Sequence, residues 1–411
     1  MSVTGADVMS PLAERYVRLV LAVGVHDPDF VDAYYGPPEW KPAPAQPPRS
    51  TADLGHDAEL LIQQLEATAV PDAPLERLRR DYLIAQTRAT RTRLAMLNGS
   101  RMTFDDESKK LYDAVAPTHD EAYFADALRA LNGLVPGEGS LASRIEAFRQ
   151  QFVIPPAKLD AVFRTAVEAC RLQTAGHLTL PAGEQFTIEY VTGKSWSGYN
   201  WYQGNYRSLI QVNTDLPIFI DRALDLACHE GYPGHHVYNV LLEHHLVRGR
   251  GWQEFTVYPL FSPQSLIAEG TANFGIEVAY PTAARVAFER ARLFPLAGLD
   301  PSTAAKYYEV QDWLDRLDYA GNEAARRYLN GAIDASQAAD YLVTYTLTSR
   351  ERAVQRVRFF DQYRSYVINY NLGKDLVRAY VERKGGTVDA PDARWKIFGE
   401  LLSSPRLPSG L

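Results

Sequence analysis

The segment that most constrains this chain is 226–236, which combines three histidines and a glutamate with a Pro-Gly pair. Five of the nine histidines in the 411-residue chain lie between His229 and His245, and Glu230 directly follows the first of them. Imidazoles and a carboxylate packed this closely can hold a divalent metal ion and supply a base beside it. Because proline removes a helical hydrogen bond and glycine permits unusual dihedrals, an unbroken helix is not expected here.

The histidine spacing differs from the usual zinc-protease pattern His-Glu-x-x-His, which puts both imidazoles on one helix face. Four residues after His229 stands Pro233, and the next histidines are His235 and His236, at i+6 and i+7. On an unbroken helix, i+7 returns nearly to the same face about 10 Å along the axis, whereas i+6 points elsewhere. A kink or bulge at Pro233-Gly234 can instead bring His235 onto the face of His229. Spacing alone therefore leaves His235 and His236 open as the second ligand.

The run His-Glu-Gly-Tyr-Pro-Gly-His-His at 229–236 resembles the motif of a bacterial family of unknown function, DUF885, whose folds look like the M32 carboxypeptidases. In that motif the histidine directly after Pro-Gly is the regular one, so the resemblance implies His235 as the second ligand and His236 as the reserve. Weaker similarities lie at Thr103–Glu107, Gly204–Tyr206, Ile210–Asn213, Ala268–Glu277 and Tyr370–Gly373. The resemblance implies a zinc peptidase with a large helical, M32/M3-like fold.

The remaining metal ligand is expected to be a carboxylate, because a catalytic zinc usually takes three protein ligands and leaves a position for water. Glu269 follows His229 by 40 residues on a second predicted site helix, and we expect it to be the third ligand. Glu277, two turns further along, is expected to orient a ligand imidazole. An ion pair with a surface cation is the alternative for Glu277. Zn²⁺ is the expected cofactor, and another divalent metal is the alternative.

The chemistry expected of this site is hydrolysis of a peptide or small amide. Glu230 is the predicted general base, which takes the proton of the attacking water and passes it to the leaving amine. Tyr370, in the segment that resembles the family's Tyr-x-x-Gly, is the expected donor to the oxyanion, with Tyr366 and His236 as alternatives. Asn213 is the candidate substrate-binding residue.

Three functions stay open on the sequence: a zinc peptidase, a metal hydrolase of a non-peptide amide, and an inactive binding protein that keeps the fold. The third is motivated by the unusual histidine spacing and by Thr271, which stands where the family usually has Trp. A guanidinium facing the cleft would bind a terminal carboxylate and favour carboxypeptidase-like action. Four arginines cluster on a late predicted helix, at Arg350, Arg352, Arg356 and Arg358.

Composition indicates a globular protein, with 46% hydrophobic residues and a net charge of −7. The negative charge argues against a nucleic-acid partner. Cys170 and Cys228 are the only cysteines, so we expect no disulfide framework and a reducing compartment, with Cys228 a buried small side chain rather than a ligand. No uncharged run approaches the roughly 18 residues of a membrane helix. The expectation is a soluble cytoplasmic protein without a membrane segment, of open oligomeric state.

The secondary-structure pattern is mainly α-helical. Alternating β-formers at 185–191 and 208–213 predict two strands of a small sheet just ahead of the metal helix. The aromatic segment between these strands is expected to form a loop at one wall of the cleft, and 27–35 is expected to form a short helix. We expect one large helical catalytic domain over 1–411. Within it, 1–100 would line the cleft, and 185–280 would hold the sheet and the metal-binding helices.

Overall fold

The structure is a computed structural model that describes residues 8–43 and 47–411, and most of them are helical. The helices are α1 (Met9–Gly24), α2 (Thr51–Ala67), α3 (Pro74–Leu97), α4 (Phe104–Tyr112), α5 (Glu121–Leu134), α6 (Leu141–Gln150), α7 (Leu159–Ala175), α8 (Ile220–Leu226), α9 (His235–Leu242), α10 (Pro263–Ala279), α11 (Thr282–Phe288), α12 (Phe294–Ala297), α13 (Ala304–Asp315), α14 (Tyr319–Leu329), α15 (Ala335–Tyr345), α16 (Arg350–Tyr363), α17 (Ile368–Arg383) and α18 (Pro391–Leu402). The strands are β1 (Val31–Tyr34), β2 (Gln185–Val191), β3 (Gly198–Gly204), β4 (Arg207–Asn213) and β5 (Val257–Pro259). The predicted helical class is confirmed. Among the described helices, none combines the length and the apolar character that crossing a bilayer requires.

Side-chain caps set where several helices begin. The hydroxyls of Ser50, Thr103 and Ser140 each accept a hydrogen bond from the backbone N–H three residues later, at the starts of α2, α4 and α6. Such a bond satisfies one of the helix's orphan donors. Proline occupies the first turn of α3 and α10, where its missing N–H carries no penalty.

The small sheet has three strands in the order β2-β4-β3. β2 runs parallel to β4, and β3 pairs with β4 antiparallel. The two predicted strands are confirmed. The aromatic segment between them, predicted as a loop, instead supplies β3, because its Trp and Tyr side chains favour a sheet once a partner strand lies alongside. β3 is an edge strand.

The segment predicted as a short helix at 27–35 contains a strand instead. β1 pairs antiparallel with β5, which lies more than 220 residues later in the chain. The helical prediction was wrong because strand formation here depends on a distant partner rather than on local propensity. This pairing carries Asp32 to the cleft.

Helices α10 and α17 pack closely in the core and touch through glycines. A Cβ atom on Gly270 would lie 2.5 Å from the carbonyl carbon of Gly373, so the backbones could not approach this closely with larger residues. α10 is buried along almost its whole length. This contact brings Glu269 and Tyr370, on adjacent positions of the two helices, to the same cleft.

The two cysteines form a disulfide between α7 and the segment that follows α8. Cys170 and Cys228 are 58 residues apart in sequence, with their Cα atoms 5.8 Å apart. The expectation of no disulfide framework did not foresee this bond, because chain packing decides whether two distant cysteines meet. Cys228 is buried, as predicted, and the disulfide ties the backbone beside His229 to α7.

Candidate metal centre

A cleft of about 420 Å³ lies between the sheet and the helices α8, α9, α10, α16 and α17. Its walls include aromatic side chains of β3 and α16, among them Tyr199 and Phe359. Of the described part of the first hundred residues, Asp32 reaches it. His229, Glu230 and His235 of the histidine-rich segment line this cleft.

The Pro-Gly pair interrupts the helix that carries the first histidine. α8 continues into a single π-helical turn at Ala227–Gly231, and α9 begins only at His235. A Cβ on Gly234 would collide with the carbonyl oxygen of His229, so this reversal requires glycine. The rings of His229 and His235 consequently lie edge to face, with centroids 4.7 Å apart and planes at 87°.

Three side chains from two separate segments meet here: His229, His235 and Glu269, which we call the His/Glu cluster. The Nε2 atoms of the two histidines are 3.1 Å apart. Glu269 Oε2 lies 3.3 Å from His229 Nε2 and 3.7 Å from His235 Nε2. Its other oxygen, Oε1, accepts a 2.7 Å hydrogen bond from the Tyr366 hydroxyl.

The spacing of these atoms fits a single divalent ion. Donor atoms about 2.0–2.2 Å from one tetrahedral ion lie about 3.3–3.6 Å from one another. Of the three distances in the structure, 3.3 Å falls in that range, and 3.1 and 3.7 Å lie just outside it. Glu269 Oε2 is buried and has no hydrogen-bond partner in the described part of the chain, which is unusual for a carboxylate oxygen. A set of two imidazoles and one carboxylate suits Zn²⁺ and leaves a fourth position free.

Within the His/Glu cluster, the imidazoles stabilise the negative charge of Glu269, and Glu269 stabilises a positive charge on His235. Burial alone would raise the pKa of Glu269, but the imidazoles of His229 and His235 outweigh it and hold that pKa well below its usual value. Burial opposes a charge on His235, yet its contact with Glu269 raises the His235 pKa to about 9. Desolvation raises the pKa of Asp32 to about 7, against the influence of His235. Without a metal, the cluster therefore holds a proton that a cation would displace.

Glu230 lies beside the cluster but outside it. Its Oε1 atom is 4.0 Å from His229 Nε2, and burial raises the pKa of its carboxyl group. Strand β3 holds it in place: Asn200 Nδ2 donates a 2.7 Å hydrogen bond to the Glu230 carbonyl oxygen. A Cβ on Gly198 would lie only 2.8 Å from Glu230 Oε1, so the strand backbone lies directly against the carboxylate.

The two histidines left open by the spacing have different surroundings. His235 belongs to the His/Glu cluster. His236 is fully buried and turned away, with Nδ1 2.8 Å from Ser208 Oγ and Nε2 3.0 Å from Glu184 Oε2. Both of its ring nitrogens are occupied, so His236 ties α9 to the sheet and is available neither as a ligand nor as an oxyanion donor.

The two candidate tyrosines take different positions as well. The Tyr366 hydroxyl donates its hydrogen bond to Glu269 and thus orients the carboxylate of the His/Glu cluster. Tyr370 lines the cleft, and burial, followed by the charge of Glu269, raises its pKa well above the usual value. Its hydroxyl therefore stays protonated and can donate a hydrogen bond.

Glu277 and Asn213 have contacts that differ from those expected. Glu277 forms ion pairs with Lys374, at 3.1 Å, and with Arg378, so it does not orient a ligand imidazole. The side chain of Asn213 borders the cleft, but its amide donates to the carbonyls of Lys194 and Trp196. Asn213 thus holds the loop before β3 in position.

Several cleft residues were not found by sequence reasoning. Asp32 accepts a hydrogen bond from Tyr199 and carries no local signal in the sequence. Arg149 and Arg222 also line the cleft, from α6 and α8. For Arg222 a signal exists, since it precedes His229 by seven residues, which is about two turns of an α-helix.

Comparisons with known proteins identify a shared fold. No protein-family model matches this chain, and no curated protein is similar to it. A crystal structure of "the putative lipoprotein from Colwellia psychrerythraea" superposes with a TM-score of 0.53 at 14% identity, over 90% of this chain and 69% of that one. A "putative lipoprotein of unknown function from Shewanella oneidensis" gives a TM-score of 0.43 at 14% identity, over 86% and 71% of the two chains. At this identity the first similarity concerns the fold alone.

Proposed function

We propose that this protein is a metal-dependent peptidase that binds Zn²⁺, or another divalent ion, through His229, His235 and Glu269. The observation that carries the proposal is the convergence of three donor atoms at ion-binding distances, in a cleft, beside a buried glutamate. The similarity of 229–236 to the DUF885 motif supports the same conclusion. So does a mainly helical chain with a small sheet beside the metal helix, which is compatible with an M32/M3-like metallopeptidase fold.

Each residue near the cluster has a role in this hypothesis. A bound divalent ion would supply Lewis acidity towards the scissile carbonyl and the attacking water. Glu230, held against β3, accepts the water's proton and returns it to the leaving amine. Tyr366 keeps the Glu269 carboxylate turned towards the histidines. Tyr370 donates a hydrogen bond to the carbonyl oxygen as negative charge develops on it.

A carboxypeptidase-like mode of action is supported by Arg356. This arginine lines the cleft on α16, and its guanidinium lies 4.7 Å from the Phe359 ring centroid and 5.6 Å from that of Tyr370. No carboxylate in the described part of the chain lies within 4.0 Å of it. A guanidinium without a partner, next to the proposed oxyanion donor, suits the terminal carboxylate of a peptide.

The test is a Glu230→Gln variant, compared with Glu168→Gln on the exposed face of α7 as a matched control. We expect Glu230→Gln to keep one equivalent of zinc and to lose turnover of a peptide mixture by about 10²- to 10⁴-fold, the usual contribution of general-base catalysis. Retained turnover in Glu230→Gln contradicts the assigned role. Cleavage of small amides without cleavage of peptides favours a non-peptide amide hydrolase, and absence of stoichiometric metal favours an inactive binding protein.

The cytoplasmic location stays a prediction, but its argument from free thiols no longer holds. Cys170 and Cys228 are paired, and disulfides persist mainly in oxidising compartments. Alkylation of the protein in intact cells followed by fractionation tests the expectation. Free thiols in the soluble cytosolic fraction would support it, and a paired, membrane-associated or exported form would contradict it.

A further inference from the structure

The cleft of this acidic protein is lined by arginines. We call Arg149, Arg222 and Arg352 the arginine cluster; all three border the cleft, together with Arg356. The guanidinium groups of Arg149 and Arg352 lie 4.3 Å and 5.1 Å from the ring centroid of Phe219. Stacking on an aromatic ring leaves the N–H edges of a guanidinium free to bind an anion.

In the described part of the chain, two of the three guanidinium groups of this cluster have no ion-pair partner. Arg222 pairs with Asp225 at 3.2 Å, whereas Arg149 and Arg352 have no carboxylate within 4.0 Å in the described part of the chain. Arg149 Nε is buried and has no hydrogen-bond partner there. Burial lowers the pKa of Arg352, and the charges of Arg149 and Arg222 act in the same direction, opposed by the charges of Glu146 and Asp221. Like charges held together in a cleft indicate a site for an anion.

Helix geometry places these charges in order along the cleft. Arg352 and Arg356 are four residues apart on α16, so their Cβ atoms are about 5–6 Å apart on one face. Arg222 lies in α8, which leads directly into the π-helical turn that carries His229 seven residues later. Arg356 lies over the ring of Tyr370, the proposed oxyanion donor, whereas Arg352 and Arg149 lie over Phe219, so a substrate that extends from the His/Glu cluster meets Arg356 before the arginine cluster.

We propose that the cleft selects peptides that end in glutamate, with the terminal carboxylate on Arg356 and the side-chain carboxylate on the arginine cluster. This inference rests on the proposed peptidase function. The two carboxyl carbons of glutamate are separated by four bonds of about 1.5 Å, and so lie about 5 Å apart when extended. Arg352 and Arg356 are neighbours on one face of α16, so two carboxylates at this separation can reach one guanidinium each.

The experiment compares four peptides that differ only at the C-terminus: Ala-Ala-Ala-Glu, the same peptide ending in Gln or Ala, and the Glu peptide with an amidated C-terminus. With zinc-supplemented protein, we expect kcat/KM for the Glu peptide to exceed that for the Gln peptide by about 10- to 100-fold, as for one charge-assisted hydrogen-bonding site. Arg352→Gln should abolish this ratio. Arg358→Gln, on the exposed face of the same helix, should leave it unchanged.

A binding measurement separates this inference from the proposed function. Calorimetry of Glu230→Gln protein with the same peptides should show tighter binding of the Glu peptide than of the Gln peptide. Selective binding by Glu230→Gln protein, together with no cleavage by the unmodified zinc-supplemented protein, refutes the peptidase function and keeps the anion site. Cleavage with no preference for Glu, or a preference that survives in Arg352→Gln, overturns the anion site and keeps the peptidase. Because Arg352 also donates to the Pro217 carbonyl, Arg149→Gln serves as a second variant if Arg352→Gln does not fold.

Discussion

The hydrogen bond from Tyr366 to Glu269 offers the sharpest test of the metal centre. Tyr366 is 4% exposed and Glu269 is 6% exposed, so water does not replace a lost bond freely. The 2.7 Å bond holds Oε1, while Oε2 faces the two histidines. Tyr366→Phe removes a single oxygen atom, and it frees the carboxylate to rotate away from the ion-binding position.

The expected magnitude follows from two independent estimates. A hydrogen bond to a charged group contributes about 1.5–3 kcal/mol. At about 1.4 kcal/mol per factor of ten, that corresponds to a loss of about 10- to 100-fold in zinc affinity. Loss of an outer-shell partner of a metal ligand typically weakens binding by the same factor. Tyr366→Phe should therefore bind zinc about 10- to 100-fold more weakly than the unmodified protein.

The assay is a competition titration against a chromophoric zinc chelator, with Tyr370→Phe as the matched control. Tyr370 lies on the same wall of the cleft but does not hold Glu269, so its variant should bind zinc normally and lose turnover by on the order of 10²-fold. Unchanged zinc affinity in Tyr366→Phe, or equal losses of affinity in both variants, would refute the assignment of Glu269 as an oriented ligand.

The remaining predictions concern protons, packing and the crosslink. Zinc affinity should rise about tenfold per pH unit up to about pH 9 and then level off, because His235 must release its proton to bind the ion; a flat titration curve between pH 7 and 9 contradicts this. Gly270→Ala should lower the free energy of unfolding by about 1–3 kcal/mol or more in urea titrations, because its Cβ meets the α17 backbone. In contrast, Gly321→Ala, where a Cβ meets nothing within 4 Å, should be neutral or stabilising. Reducing the Cys170–Cys228 disulfide should cost about 4 kcal/mol, measured by thermal unfolding with and without reductant.

Local sequence determined the features that depend on neighbouring residues. Because His229 and Glu230 are adjacent in sequence, the proposed base lies beside a proposed ligand whatever the position of the helix in the fold. Pro233-Gly234 interrupts that helix, because one residue lacks an N–H and the other lacks a Cβ. Alternating β-formers produced β2 and β4 in the expected places, since their pattern suits a half-exposed sheet.

Tertiary structure decided everything that required distant segments to meet. The choice between His235 and His236 depends on the backbone reversal at the start of α9 and on the partners that Glu184 and Ser208 offer to the second imidazole. The spacing of the two histidines in the sequence does not indicate those partners. Likewise, β1 forms only because β5 lies beside it.

Packing between remote segments also decides which side chains meet at the His/Glu cluster and along the cleft. Glu269 comes from a helix 40 residues beyond His229. Packing of that helix against Pro233, where a Cβ on Gly275 would lie 3.1 Å from the proline ring, brings it into reach. The cysteine pairing and the arginine-lined wall likewise arise from packing between segments that are remote in the chain. The sequence shows which side chains are able to bind a cation, but the packing of the hydrophobic core sets the distances between them.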